Sequence, residues 1–284
     1  MSASATHGEF LPIHEAHSIE QVVVAVQFAT PLADDVIRSI SETLDTFSES
    51  LPIRNDIRGM GFQVGLNGVT PIVSPANEMP SGVVRMALDA TKGSPLKELR
   101  IDRQNLVFST QSYTRWAAVW DEANGYFEKI LTHINGTKVL SYGLTYIDKF
   151  HWTGRPELGL PAKALRLNSP YMTPKSFESH DLWHCHSGSF SRVSDTVKRL
   201  EVVDIDYLDE ASVQAYSGTQ RVVRIAINTV DIYNQPGYTP LEIDGNAASK
   251  ELSSKFGALH DLQKNIVGAI INDELAHKVG LINV

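Results

Sequence analysis

Apolar and polar positions along the chain follow two rhythms, a two-residue alternation and a three-to-four-residue repeat, and these predict its elements. The run QVVVAVQFA (Gln21 to Ala29) is β-branched and almost wholly apolar, which predicts a largely buried strand ending ahead of Pro31. In ADDVIRSISETLDTF, Val36, Ile37, Ile40, Leu44 and Phe47 recur at helical spacing. Asp34 and Asp35 fall in the first turn of that helix, where its dipole favours negative charge. From Ile57 to Pro80 the chain is rich in Gly, Pro and Asn, which predicts short strands joined by loops. GVVRMALDA predicts one strand, and LKELRIDRQNLVFSTQSY a hairpin turning near Arg103-Gln104-Asn105.

The strongest periodicity lies in YTRWAAVWDEANGYFEKILTHIN. Trp116, Trp120, Ala123, Phe127, Ile130 and Ile134 step by four and three residues and make one apolar stripe. This predicts a long helix closed by Asn135-Gly136, with the indoles in the core and not on a ligand-stacking platform. KVLSYGLTYIDKFHW then alternates as a strand. An irregular crossover carrying Pro156, Pro161, Pro170 and Pro174 follows. Three more strands are predicted in DLWHCHSGSFSRV, VKRLEVVDIDYLDE and QRVVRIAINTVDIYN. The chain closes with a helical pattern from Ala247 to His277, buried through Leu252, Phe256, Leu259, Leu262, Ile266 and Ile270.

The order is strand, helix, strands, long helix, then strand, crossover, strands, long helix, so the two halves look alike. The expected fold class is therefore α+β in two similar halves, each an antiparallel sheet with a long amphipathic helix packed on one face. The expected boundaries are a mobile polar arm over residues 1–18, an N-terminal half over 19–136 and a tightly associated C-terminal half over 137–284.

Several stretches carry a family resemblance: SIEQVVVAVQF near the start, LRIDRQNLVFS with RWAAVWDEANGYFEKIL and VLSYGLTYIDKF in the middle, and LHDLQKNIVGAIINDELAHKVG at the end. From about Ile19 to Gly280 the chain resembles a sporadically distributed bacterial family of conserved hypothetical proteins. It differs in the middle strand, where Thr145 stands for an Arg and Asp148 for an Asn. The resemblance implies an architecture and the scattered occurrence typical of mobile-element cargo. It implies no reaction, cofactor or catalytic residue.

Composition narrows the partners. Of 284 residues 42% are hydrophobic and 20% charged, as in globular proteins. The formal net charge of −8, with no long Lys/Arg run, argues against nucleic acid as the ligand. The one cysteine suits a reducing compartment, and the first twenty residues lack the basic and apolar regions of a signal peptide. Neither does any stretch approach the length of an apolar bilayer span. The expectation is a cytoplasmic protein without a membrane partner.

Chemistry concentrates in HDLWHCHSGSF, residues 180 to 190, which holds three histidines and the lone cysteine. On a strand, His184 and His186 share one face while Trp183 and Cys185 share the other. That geometry denies Cys185 a neighbouring base, so a thiol nucleophile is not expected. In EVVDIDYLDE, Asp204 and Asp206 share a face and mark either a wet sheet face or a carboxylate pair. His184, His186, Asp204 and Asp206 form the candidate metal set for zinc or another divalent ion, with His180 joining from a loop and Asp231 as a further donor. The ligand spacings of familiar zinc sites are missing. The glycines Gly59, Gly61 and Gly65 lack the βαβ setting of a dinucleotide site, and HSGSF lacks the glycine of a nucleophile elbow.

The leading expectation is a non-enzymatic binding or interaction protein with no cofactor, contacting a protein partner or small ligand; self-association is compatible with it. Tyr142, Tyr146, His184, His186, Arg224 and Asn228 are the candidate contact residues, taken from alternation. The family's genomic habit implies a sensor, regulator or neutralising partner in a mobile-element or phage-defence gene system. The alternative is a metal-dependent hydrolase built on His184, His186 and the strand aspartates.

Overall fold

A computed structural model of the chain describes residues 8–58, 60–65, 68–73, 80–134, 136–179, 181–211, 218–233, 241–242 and 248–281. The elements run β1 (Phe10–Pro12), β2 (Ile19–Phe28), α1 (Asp34–Asp45), β3 (Ile53–Ile57), β4 (Met60–Gly65), β5 (Gly68–Val73), β6 (Gly82–Leu88), β7 (Pro95–Asp102) and β8 (Asn105–Thr110). After them come α2 (Trp116–Leu131), β9 (Lys138–Trp152) and two 3-10 turns at Pro156–Leu158 and Pro161–Lys163. The chain continues through α3 (Lys175–Glu178), β10 (Trp183–Arg192), β11 (Lys198–Ala211), β12 (Thr219–Ile232), β13 (Leu241–Glu242), α4 (Ala248–Ile270) and α5 (Asp273–Lys278). The fold is α+β and is dominated by one large sheet.

That sheet has the order β10-β11-β12-β9-β2-β8-β7-β6-β3, with β1 and β13 also pairing β9, while β4 and β5 form a separate hairpin. The pairs β10–β11, β3–β6, β6–β7, β7–β8, β1–β9 and β9–β13 are antiparallel. The turn of the β7–β8 hairpin falls where the sequence puts it, because Asp102 Oδ1 accepts the amide protons of both Gln104 and Asn105.

By internal contacts the chain divides into two units, each drawn from separated segments. One comprises Met1–Val22, Leu144–Asp231 and Gly257–Val284; the other comprises Val23–Gly143 and Ile232–Phe256. The division cuts β2, β9, α4 and, at its last residue, β12. In the second unit, α2 buries Val119, Trp120, Ala123, Tyr126, Phe127, Ile130 and Leu131, so the stripe is core from Trp120 onward, while Trp116 at its start is only half-buried. Trp120 stacks against Trp116 and donates its indole N–H to Ser253. Asn135, half of the expected cap, lies outside the described residues; Gly136 adopts φ +79°, the left-handed backbone expected of it.

Two differences from the sequence reading have local causes. Residues 8–18 are not a free arm. Phe10 is buried, and β1 pairs β9 with Phe10 opposite Trp152. The closing helix is broken in two at Asn272, whose side chain accepts the Leu275 amide proton and so starts α5 afresh. The backbone between the two helices instead bonds to the crossover, Arg166 N–H to the Ile270 carbonyl and Asn272 N–H to the Ala164 carbonyl, each at 2.8 Å. Among the described residues, no helix is long and apolar enough to cross a membrane.

Burial of one charged group gives a pH-dependent prediction. Asp148 is 4% exposed, and burial drives its carboxyl up to about 6, opposed by the hydrogen bond it accepts from Ser18 Oγ at 2.6 Å. The native state therefore holds this proton to higher pH than the unfolded chain does. The cost of ionising it is absent below the ordinary carboxylate range and fully present above about pH 6, so this group lowers stability as pH rises. Between pH 5 and pH 7.5 it removes about 1.4 kcal/mol. Asp148→Asn is expected to lose about that much less stability than the parent over the same interval, measured by urea unfolding at both pH values. Equal losses in the two proteins would contradict the assignment.

A candidate binding face on the edge strands

The three-strand end of the large sheet, β10-β11-β12, carries the candidate chemistry, and all of the residues discussed on it belong to the first unit. Antiparallel register sets His184 opposite Asp206 and His186 opposite Asp204. Because alternate residues share a face, all four side chains emerge on the same side. His184 Nδ1 lies 2.6 Å from Asp206 Oδ1, and His186 Nδ1 bonds Asp204 Oδ1. An ionised carboxylate only accepts, so with ionised aspartates both Nδ1 atoms carry the donated proton. The two rings lie near-parallel, 25° apart with centroids 6.5 Å from one another. Asp204 is shared, since the same oxygen that bonds His186 stands 3.8 Å from His184 Nε2.

From this quartet a chain of charges crosses the face. Arg224 on β12 reaches both Asp206 and Glu20, at 3.6 and 3.8 Å, and Lys149 on β9 reaches Glu20 and Glu210 at 3.2 and 2.5 Å. Burial alone would lower the Lys149 ammonium, but Glu210 and Glu20 overcome it and hold the group above the ordinary lysine value. Asn228 Oδ1 accepts a hydrogen bond from Thr145 Oγ1 at 3.2 Å. Thr145 thus serves an ordinary cross-strand contact.

The candidate contact set is thus divided. His184, His186, Arg224 and Asn228 point to the polar face. Tyr142 and Tyr146 are only 2% and 4% exposed and lie on the opposite face. Tyr142 packs edge-on against Phe256 and Tyr233, and the Tyr146 hydroxyl lies 3.0 Å from His260 Nδ1. Burial drives the His260 imidazole down to about 4, with Lys264 adding to the effect, so it stays neutral against the tyrosine. A hydroxyl at the end of a large apolar ring makes a tyrosine ambiguous on an alternating strand. The parity that Tyr142 and Tyr146 share with Leu144, Phe150 and Trp152 is the signal that resolves it.

The other side of β10 is apolar, as alternation predicts. Trp183 stacks on Tyr207 at 5.7 Å, and Cys185 packs against the core with its thiol donating to the Tyr171 carbonyl at 3.5 Å. His184 and His186 face away, so neither serves as an activating base for Cys185. Asp231 does not join the candidate metal set; it is buried and takes Arg199 through two bonds of 2.6 and 2.9 Å. His180 and Gly59 lie outside the described residues. Gly61 and Gly65 belong to the β4–β5 hairpin, and Gly188 of HSGSF sits within β10 rather than at a turn.

The sequence reading did not anticipate an open hollow of about 600 Å³ in the second unit, lined by Phe47, Ser50, Asp121, Glu122, Tyr126 and Lys129 among others. Several of its polar groups engage one another or a neighbour. The Tyr126 hydroxyl lies 3.0 Å from Ser50 Oγ and 3.2 Å from Glu122 Oε1, Lys97 grips both oxygens of Glu122 at 2.8 Å, and the Lys129 ammonium lies 5.1 Å from the Phe47 ring centre. No protein-family model matches this chain, and no curated protein is significantly similar to it.

Proposed function

We propose that the chain is a non-enzymatic interaction protein that binds through strand β10 and the polar face beside it. The observation that carries the reading is the character of this edge. β10 is ten residues long, pairs β11 without a break in register from Trp183 to Arg192, and among the described residues has no strand beyond it. Native edge strands are commonly blunted by lysine, proline or a bulge, to stop a further strand from pairing. WHCHSGSFSR has none of these before its terminal Arg192, and Phe190 stands 61% exposed in it. Such an edge suits strand addition by a partner, with backbone hydrogen bonds giving affinity and the His184–His186 row giving selectivity.

A metal-dependent hydrolase is less well supported. The side chains of His184 and His186 are 57% and 58% exposed, so water is not excluded from the cluster, and Asp206 is engaged by His184 and Arg224. The family resemblance agrees with a cytoplasmic sensor, regulator or neutralising partner in a mobile-element or phage-defence system.

The test is quantitative capture by the full chain from its native host, comparing the parent with Phe190→Lys. This surface change is expected to leave the unfolding free energy within about 0.5 kcal/mol of the parent's. The reading expects a specific partner with the parent and at least tenfold less with the variant. The same proteins recovered in equal amounts by both, or nothing above background with the parent, would count against it.

A further inference from the structure

We infer that His184, His186 and Asp204 form a binding site for one divalent transition-metal ion. One ligand atom from each of the three lies within 4.8 Å of the other two. Four ligands at about 2.0–2.1 Å from a tetrahedral zinc stand roughly 3.3 Å apart, so the cluster must contract by on the order of 1 Å. The cluster has room to contract, because both rings are more than half exposed and the Asp204 side chain is 34% exposed. Two imidazoles and a carboxylate are donors that suit zinc, iron, nickel or copper, and do not suit magnesium or calcium.

The surroundings prepare the site in two ways. Asp206 fixes His184 through Nδ1 and leaves Nε2, 3.8 Å from Asp204 Oδ1, as the nitrogen that can take a metal; a carboxylate behind a ligating imidazole commonly orients it in this manner. His186 enters by giving up the contact between its Nδ1 proton and Asp204, the proton passing to Nε2 through water. The field also favours a cation, since Glu20, Asp204, Asp206 and Glu210 outnumber Lys149 and Arg224 in the charge chain. Both histidines ride one strand in unbroken register with the strand that carries both aspartates, so the backbone needs no rearrangement. A fourth position is left for water or for a donor from a bound partner.

The site rests on the β10–β11 geometry alone and does not require the partner reading. The experiment titrates zinc chloride calorimetrically into the full chain, prepared without a histidine tag and stripped by chelator. Metal content after dialysis is measured in parallel. One equivalent is expected at micromolar zinc. His184→Ala/His186→Ala should weaken the affinity at least 100-fold. Asp206→Asn, which only positions His184, should weaken it about 10-fold. Unchanged metal-free unfolding midpoints show that the variants fold. Failure of the parent to take one equivalent, or parental affinity in the double variant, overturns the inference. A chain that takes no zinc yet captures its partner overturns this inference alone, whereas zinc uptake without any partner overturns only the edge-strand reading.

Discussion

Trp152→Ala is expected to destabilise the native state by about 4 kcal/mol, within the usual range for deleting a fully buried aromatic. Trp152 is 1% exposed at the end of β9. Its ring lies 5.2 Å from Phe10, the Lys163 ammonium sits 4.4 Å over it, and its indole N–H donates to the Arg155 carbonyl at 2.9 Å. Three glycines close around the ring. A Cβ at Gly8 would come within 2.6 Å of it, and at Gly154 or Gly159 within 2.8 Å. Such approaches leave no room for a side chain, so the glycines and the indole form one packed unit. Deleting the ring leaves a cavity that neighbouring backbone cannot fill, and it strips β1 of the ring that Phe10 packs against. Gly159→Ala should also destabilise, through the clash with the ring. Urea unfolding is the measurement. A loss under 1 kcal/mol for Trp152→Ala would mean that the segment from Gly8 to Pro12 contributes little.

Asp231→Ala is the second large effect, expected at about 3 kcal/mol. The carboxylate is 9% exposed and Arg199 17%, and they meet through two hydrogen bonds between β11 and β12. Removing the acid leaves a largely desolvated guanidinium, which accounts for most of the cost. Replacing both members by apolar residues, as in Arg199→Met/Asp231→Leu, should recover most of the loss. A double-mutant cycle separates the two contributions. If the double replacement is as damaging as the single one, the pair does more than cancel its own burial.

How far the sequence discloses this molecule depends on the range of the signal. Alternation within one strand is local, and it correctly sorts His184 and His186 from Trp183 and Cys185. Helical spacing is local too, which is why the buried stripe of α2 is legible. Parity along β9 also marks Tyr142, Tyr146 and Asp148 as core, but polar atoms on these residues suggest solvent and mislead. Strand neighbours are not local. Nothing in KVLSYGLTYIDKFHW states that β9 lies between β12 and β2, and nothing in WHCHSGSFSR states that it ends the sheet. The register that sets His184 against Asp206 is likewise a property of two strands together, as is the approach of Asp204 to both rings. The break at Asn272 was readable from Asn-Asp-Glu, a helix-start signal inside an apolar repeat that otherwise runs on.

The central claim is that β10 and its polar face are the surface through which this chain acts. Amide hydrogen exchange, compared between the free chain and the chain in complex with its captured partner, tests it most directly. The account predicts new protection over residues 183–192, with a smaller gain across 198–206, and none around the hollow between Thr46 and Lys129. Protection confined to that hollow, with β10 exchanging as in the free chain, would contradict it.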